Sequence, residues 1–468
     1  MFIKQLYTGC LSEAAYYLES DGVAAIVDPL RDIDSYLQIA RERNATIKYI
    51  FETHFHDDFV SGQLDLQKAT GAPIVYGPHT ETQFPIHLAK DGETFQLGET
   101  SIEVLHTPGH TVESTCYLLR DETGKPHAVF TGDTLFVGEV GRPDLSSGNM
   151  EKEELASLLF DSLNQKIASL PDDVIVYPAH GPGSNCGKNL GPATSSTIGE
   201  EKQSNYALQP QTREEFIKAV ISDLPAAPSY FPINARINKE GYDPLEKIME
   251  VALTPLSITD FKKRMKDEET IILDTRKAGD FTKQFVPGSL SIGLEGRFAE
   301  WAGSLLPFDK PIILVTEEGQ ERESVVRLAR VGFSQIHGYL AGGIEAWRKA
   351  GEEIDLIIDV EVDELAMDLP YDDHLIAIDV RREAEFADGH VRGATNIPLN
   401  DLTDPGSMAN IDELQNLYLY CGSGYRSVIA ASLMKRQGIH NLRNVLGGFN
   451  AIRLQEGIEI VKDNSVLN

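Results

Sequence analysis

Four times within the first 181 residues, a short apolar run ends in a turn of small residues that bears histidine or aspartate. Ile47-Lys48-Tyr49-Ile50-Phe51 leads into Thr53-His54-Phe55-His56-Asp57-Asp58-Phe59-Val60-Ser61-Gly62. Ile102-Glu103-Val104-Leu105 leads into His106-Thr107-Pro108-Gly109-His110-Thr111, and Ala128-Val129-Phe130 into Thr131-Gly132-Asp133-Thr134-Leu135-Phe136. Val174-Ile175-Val176-Tyr177 leads into Pro178-Ala179-His180-Gly181. Apolar, β-branched runs bounded by Gly and Pro read as buried strands. A fold made from them delivers imidazoles and carboxylates at strand ends, which is a metal-binding pattern.

The series His-x-His-x-Asp, Pro-Gly-His-Thr, Gly-Asp-Thr-Leu-Phe and Pro-Ala-His-Gly resembles the metallo-β-lactamase superfamily over residues 1–240. The resemblance implies an αββα sandwich with a metal at one edge of two packed sheets. Within that span Val23–Val27 reads as a strand ending at Asp28-Pro29, followed by a helix from about Asp32 to Arg43. Leu155, Leu158, Leu159, Leu163 and Ile167 share one face of a helix expected over Glu151–Ser169. His79 and His87 lack the strand-end context and are expected to be ordinary surface or cleft histidines.

Arg142, beside the Asp133 loop, carries a planar fork of donors suited to an anionic substrate. A structural ion pair to Asp144 or Glu139 is an equal alternative. Cys186, six residues after His180 among glycines, is expected at the mouth of the metal cavity. The Pro-rich run from Leu224 to Pro232 closes this first domain.

At 468 residues the chain is too long for one core and calls for about three domains. Its formal charge of −30 argues against nucleic acid, which needs a basic surface. No apolar run approaches the ~18 residues of a membrane span, and the N-terminus lacks a signal-peptide core. The four cysteines, at 10, 116, 186 and 421, are too scattered for a disulfide framework. A soluble cytoplasmic protein is expected.

Beyond residue 250 the chain repeats itself at a constant offset of 105 residues. Asp274-Thr275-Arg276 recurs as Asp379-Val380-Arg381, Gly288 as Gly393, and Gly342-Gly343 as Gly447-Gly448. Each copy, spanning 254–352 and 358–465, alternates strands with helical stretches, which implies a parallel α/β sheet. In the second copy a strand, Tyr418-Leu419-Tyr420, meets a helix through Cys421-Gly422-Ser423-Gly424-Tyr425-Arg426. Such a loop can turn backbone N–H groups inward around an anion, and Arg426 favours a thiolate at Cys421.

With the stretch from Glu385 to Pro398, this loop resembles the rhodanese family of sulfurtransferases. The resemblance implies that Cys421 carries sulfane sulfur as a persulfide. Related phosphatase loops are one residue longer, which favours sulfur over phosphate. The offset places Thr316-Glu317-Glu318-Gly319-Gln320-Glu321 at the equivalent position of the first copy. That loop has neither thiol nor cation, so the first copy is expected to be inactive.

In the superfamily a second metal normally uses Asp58, a histidine directly after it, Asp133 and His180; here the next residue is Phe59. His54, His110 and Asp133 remain as the facial triad of mononuclear non-haem Fe(II) oxygenases, one ion per chain. His56, Asp58 and His180 then orient ligands and water.

The two signatures together resemble persulfide dioxygenase–rhodanese fusions. This implies oxidation of a low-molecular-weight thiol persulfide by O2 to sulfite and thiol, with sulfite and thiosulfate exchanged at Cys421. A homo-oligomer is expected. A glyoxalase-II-like zinc thioesterase is the main alternative, and a non-catalytic sulfur-carrier scaffold a third. The sequence does not identify the thiol, be it glutathione, coenzyme A or bacillithiol.

Overall fold

The computed structural model describes residues 1–145, 150–188, 190–408, 411 and 415–463. The chain divides into two compact units, one of residues 1–247 with 326–334, the other of 248–325 with 335–468.

In the first unit, alternation along each strand sends side chains to two different cores. Tyr16 and Leu18 of the strand Glu13–Ser20 enter one apolar cluster, while Ala15 and Tyr17 enter another. Ala25 and Val27 divide from Ala24 and Ile26 in the same way in Val23–Val27. Strands buried on both faces need a partner layer on each side.

Between the two six-stranded sheets lies a core of Tyr16, Phe51, Tyr117 and Phe130, with Phe51 and Tyr117 ring centroids 4.7 Å apart. Tyr36, Ile39 and Leu66 cover the outer face of one sheet; Leu159, Leu163 and Phe216 cover the other. This is the expected αββα sandwich.

The expected helix over Glu151–Ser169 is a helix Lys152–Ser162 followed by a π turn, Leu163–Ile167. Leu155, Leu159, Leu163 and Ile167 recur every fourth residue, which outruns a helix of 3.6 residues per turn. The wider turn absorbs that drift and keeps Leu163 and Ile167 buried.

The second unit holds two five-stranded sheets of identical topology. Pro255–Leu256, Ile336–Leu340, Ile312–Val315, Ile271–Asp274 and Leu290–Ser291 are neighbours in that order, every pair parallel. Ile358–Val360, Leu442–Val445, Asn416–Tyr420, Leu375–Asp379 and Thr395–Asn396 repeat the pattern.

The repeated Asp-x-Arg is a buried clamp. Arg276 Nη2 bonds Asp274 at 2.6 Å and the carbonyl of Gln284 at 2.8 Å. Arg381 Nη2 bonds Asp379 and the carbonyl of Gly389, each at 2.6 Å. Among the described residues, no helix is long and apolar enough to cross a membrane.

Candidate functional site

The loop after Thr46–Phe51 is held in place from below. Asp28 ends its strand at φ +49, a left-handed conformation unusual for a residue with a side chain. This turns its carboxylate to accept from the Thr53 N–H at 2.8 Å and the Thr53 hydroxyl at 2.9 Å. The Thr53 hydroxyl hydrogen being committed there, its oxygen accepts from His54 Nδ1–H at 2.9 Å. That fixes the His54 tautomer and leaves the Nε2 lone pair facing Asp133, 3.9 Å from Oδ2.

His110 and His180 are set by the same logic. His110 Nδ1 donates to the carbonyl of Arg142 at 2.8 Å, so Nε2 faces Asp133 Oδ2 at 3.5 Å. His180 Nδ1 donates to the carbonyl of Ser12 at 3.3 Å; Nε2 lies 3.4 Å from Asp133 Oδ1 and 3.6 Å from Asp58 Oδ2. Asp133 sits where only glycine neighbours fit. A Cβ at Gly132, φ +50, would lie 2.5 Å from Thr53 Oγ1, and one at Gly141 2.0 Å from the Asp133 carbonyl.

The atoms thus aimed inward have no protein partner. Nε2 of His54, His110 and His180, both Asp133 oxygens and Asp58 Oδ1 are buried without a hydrogen bond. Buried polar atoms left unpaired are costly, and a cation held among them satisfies those it touches. Burial pushes His54 well below the usual imidazole range, with His56, His110 and His180 adding to it, and lowers His110 to about 4. Neutral imidazoles are the ligand form. Burial, then Asp58 and Asp57, push Asp133 well above the ordinary carboxyl range, a strain that a bound cation reverses. The donor set fits a metal ion.

His54, His110 and Asp133 come together as three donors within 4.8 Å of one another, and His56, Asp58 and His180 form a second such set. Phe59 is wholly buried and offers no donor; its ring stacks on His56. His56 Nε2 lies 3.1 Å from Asp28 Oδ1 and 3.6 Å from Glu52 Oε2.

One expectation changes, and one open choice is decided. Cys186 is not at a cavity mouth: it is buried, with Sγ 3.8 Å from Asp57 Oδ1 and within reach of Asp133 and His180. Burial, then the charges of Asp58, Asp133 and Asp57, push its thiol well above the ordinary range. Arg142 does not present its guanidinium to an anion. The fork is buried and bonds Asp144 at 3.0 and 2.7 Å and the Pro225 carbonyl at 2.6 Å. The ion-pair alternative holds, and Arg142 serves the site through its carbonyl.

Sequence reading missed the supports. Asn238, in the helix Phe231–Glu240 beyond the Pro-rich run, donates to the carbonyls of His56 and Phe59, each at 2.8 Å. Its own oxygen accepts from the Ser61 N–H at 2.9 Å. The supporting roles of Asp28, Glu52 and Asp57 were likewise unforeseen, although acids at strand ends hinted at them.

In the second unit, Cys421 follows the strand Asn416–Tyr420 and precedes the helix Tyr425–Arg436. The Gly424 N–H, at φ +111, donates to Cys421 Sγ at 3.1 Å, and Ser427 Oγ lies 3.7 Å away. Gly422 and Ser423 form the turn between them, and a Cβ on Gly422 would stand 3.4 Å from Arg426 Nη2. Arg426 forms a two-pronged pair with Glu385 at 2.7 and 2.8 Å. Tyr425 donates its hydroxyl to the Gly293 carbonyl at 2.7 Å. In the first copy Thr316 stands in the cysteine's place, buried beside Glu317, Glu318 and Glu321 on a cavity of about 590 Å³.

Residues 8–180 match the metallo-beta-lactamase superfamily, and residues 257–350 and 361–455 each match the rhodanese-like domain. The chain is 35% identical over 181 residues to a probable hydroxyacylglutathione hydrolase of Schizosaccharomyces pombe, covering 37% of this chain and 66% of that protein. It is 30% identical over 197 residues to the human mitochondrial persulfide dioxygenase ETHE1, covering 42% of this chain and 70% of that one. A crystal structure of a metallo-beta-lactamase from Staphylococcus aureus aligns over 73% of this chain and 99% of its own length. Its identity is 33% and its TM-score 0.65. The chain belongs to the metallo-β-lactamase superfamily, with a metal-binding fold at its N-terminal end and two rhodanese-like domains after it.

Proposed function

We propose that this chain oxidises a low-molecular-weight thiol persulfide with O2 to sulfite and thiol, and passes sulfane sulfur through Cys421. On this reading the protein is a persulfide dioxygenase–rhodanese fusion of domains 1–240, 254–352 and 358–465, with residues 464 and 465 outside the described ones. It is a cytoplasmic homo-oligomer on the same reading. The observation that carries it is the three-donor set His54, His110 and Asp133, brought together from three strand-end loops, with the Phe59 ring in the His54 loop where a further ligand would stand. Two imidazoles and one carboxylate on one face suit a single Fe(II) and leave positions open. When bound there, Fe(II) supplies the redox chemistry that brings O2 and a persulfide sulfur to reaction.

The chain's own residues prepare that site. Thr53 and the Arg142 carbonyl hold the His54 and His110 tautomers, and Asp28 holds Thr53. His56, Asp58 and His180 border the same space and orient the polar groups of water and substrate. Similarity to the human persulfide dioxygenase supports this reading. Similarity to the hydroxyacylglutathione hydrolase supports the second one, zinc-dependent thioester hydrolysis, for which the set His56, Asp58 and His180 is the specific observation.

Sulfite is a nucleophile, and a Cys421 persulfide is an electrophilic sulfur. Attack on the outer sulfur forms thiosulfate, breaks the S–S bond and returns the Cys421 thiolate to the Gly424 N–H. Cys421→Ser therefore keeps O2 consumption and shifts the product from thiosulfate to sulfite, as read by ion chromatography. Undiminished thiosulfate from that variant overturns the coupling.

A further inference from the structure

The cleft in front of Cys421 is built by both rhodanese-like copies. Glu295, Arg297 and Trp301 of the inactive copy line it together with Cys421, Arg382 and Asp359 of the active one. The joint is close. Tyr425, inside the Cys421 loop, donates to the Gly293 carbonyl, and a Cβ on Gly296 would lie 2.6 Å from its ring. The inactive copy therefore forms one wall of the active copy's cleft.

The cleft has a volume of about 730 Å³, the size of an organic-ligand site and many times that of a small inorganic anion. Its charges also alternate. Arg426 is closed on Glu385, and Asp359 is held by Thr282 Oγ1 at 2.6 Å and Asn444 Nδ2 at 2.7 Å. Toward solvent stand Arg297 and Arg382, 45% and 55% exposed, both ion-paired with the buried Glu300 between them. Glu295, 53% exposed, stands 3.4 Å from Lys277. A pocket for sulfite or thiosulfate alone calls for cations only. Neighbouring cations and carboxylates match a molecule that carries both carboxylate and ammonium groups.

We infer that the inactive copy supplies the recognition wall for a zwitterionic, amino-acid-derived thiol persulfide that donates sulfur to Cys421, with Arg297 and Glu295 as its specificity determinants. This rests on the sulfur-transfer reading of Cys421. In the step, the Cys421 thiolate attacks the outer sulfur of RSSH and a Cys421–S bond forms. The RS–S bond breaks, and RS⁻ leaves and takes the proton as RSH. No oxidant or reductant is needed.

The test uses the full chain under anaerobic conditions, with glutathione persulfide as the organic donor and thiosulfate as the inorganic one. Sulfur addition at Cys421 is followed by mass spectrometry of the intact protein and its peptides. Arg297→Gln is expected to raise the KM for glutathione persulfide about tenfold with kcat kept, the scale of one charge-assisted contact. Loading from thiosulfate stays within about twofold on the same scale. Arg297→Lys restores part of the affinity, and Glu295→Gln, also a surface change, weakens only the organic donor. Equal losses with both donors, no loss with either, or a wild-type protein loaded by thiosulfate alone overturns the inference and leaves Cys421 as a sulfur carrier. A wild-type protein loaded by neither donor overturns the sulfur-transfer reading and the inference with it.

Discussion

The ring of Phe59 stacks on the ring of His56, centroids 4.3 Å apart and planes 30° from parallel. An aromatic ring thus occupies the position from which a further ligand would reach the second donor set, and it packs against that set instead. Phe59→His replaces the packing with a donor. Metal content, measured by elemental analysis after saturating with zinc, is expected to rise from one toward two ions per chain. An unchanged ratio would show that Phe59 does not limit the second site.

Asn238 tests how far the loop depends on its support. Its side chain is wholly buried and makes three hydrogen bonds to the backbone of the His56–Ser61 segment. Asn238→Ala leaves two carbonyls and an amide without partners. It is expected to cost about 2–4 kcal/mol at roughly 1 kcal/mol per bond, and to lower metal occupancy with it. Calorimetry checks the first and elemental analysis the second; wild-type values for both would contradict the account.

Cys186 lies within reach of Asp133 and His180 and of Asp57 and Asp58, with Sγ 3.8 Å from Asp57. Cys186→Ser is expected to keep the bound metal and slow persulfide-dependent O2 consumption several-fold. Unaltered rate and product ratio would make the thiol structural.

Glu385 gives the Cys421 loop a pH dependence. Burial raises its carboxyl, but the Arg426 hydrogen bond and charge outweigh this, and its pKa is lowered. A carboxyl whose folded pKa is depressed stabilises fully above its unfolded value, about 4.3. The contribution disappears as pH falls through the folded value. Between about pH 6 and about pH 3 the wild-type protein is expected to lose more thermal stability than Glu385→Gln, which has nothing to titrate there. Parallel losses in the two proteins would contradict this. The same variant frees Arg426 and is expected to slow sulfur transfer without touching O2 consumption.

Local signals carried most of the fold. Strand runs such as Ile47–Phe51 and the 105-residue repeat are periodic features that secondary structure must obey, and both units follow from them. The donors His54, His110, Asp133 and His180 were legible because each stands at a strand end, where the sheet fixes its direction. Asn238 was not, because it lies some 180 residues from the loop it holds and no local pattern links them. Arg142 stayed open between two readings, and Cys186 was placed wrongly, for a related reason. Proximity in sequence to a metal loop says nothing about which way a side chain turns, and Asp144 and Asp57 decide that.

The central claim, a single iron serving persulfide oxidation, is tested most directly by anaerobic purification, elemental analysis and O2 consumption with glutathione persulfide on one preparation. The account predicts about one iron per chain, O2 uptake that requires the persulfide, and loss of both metal and uptake in His110→Ala. Two zinc ions per chain, no O2 uptake, and hydrolysis of a glutathione thioester would contradict it.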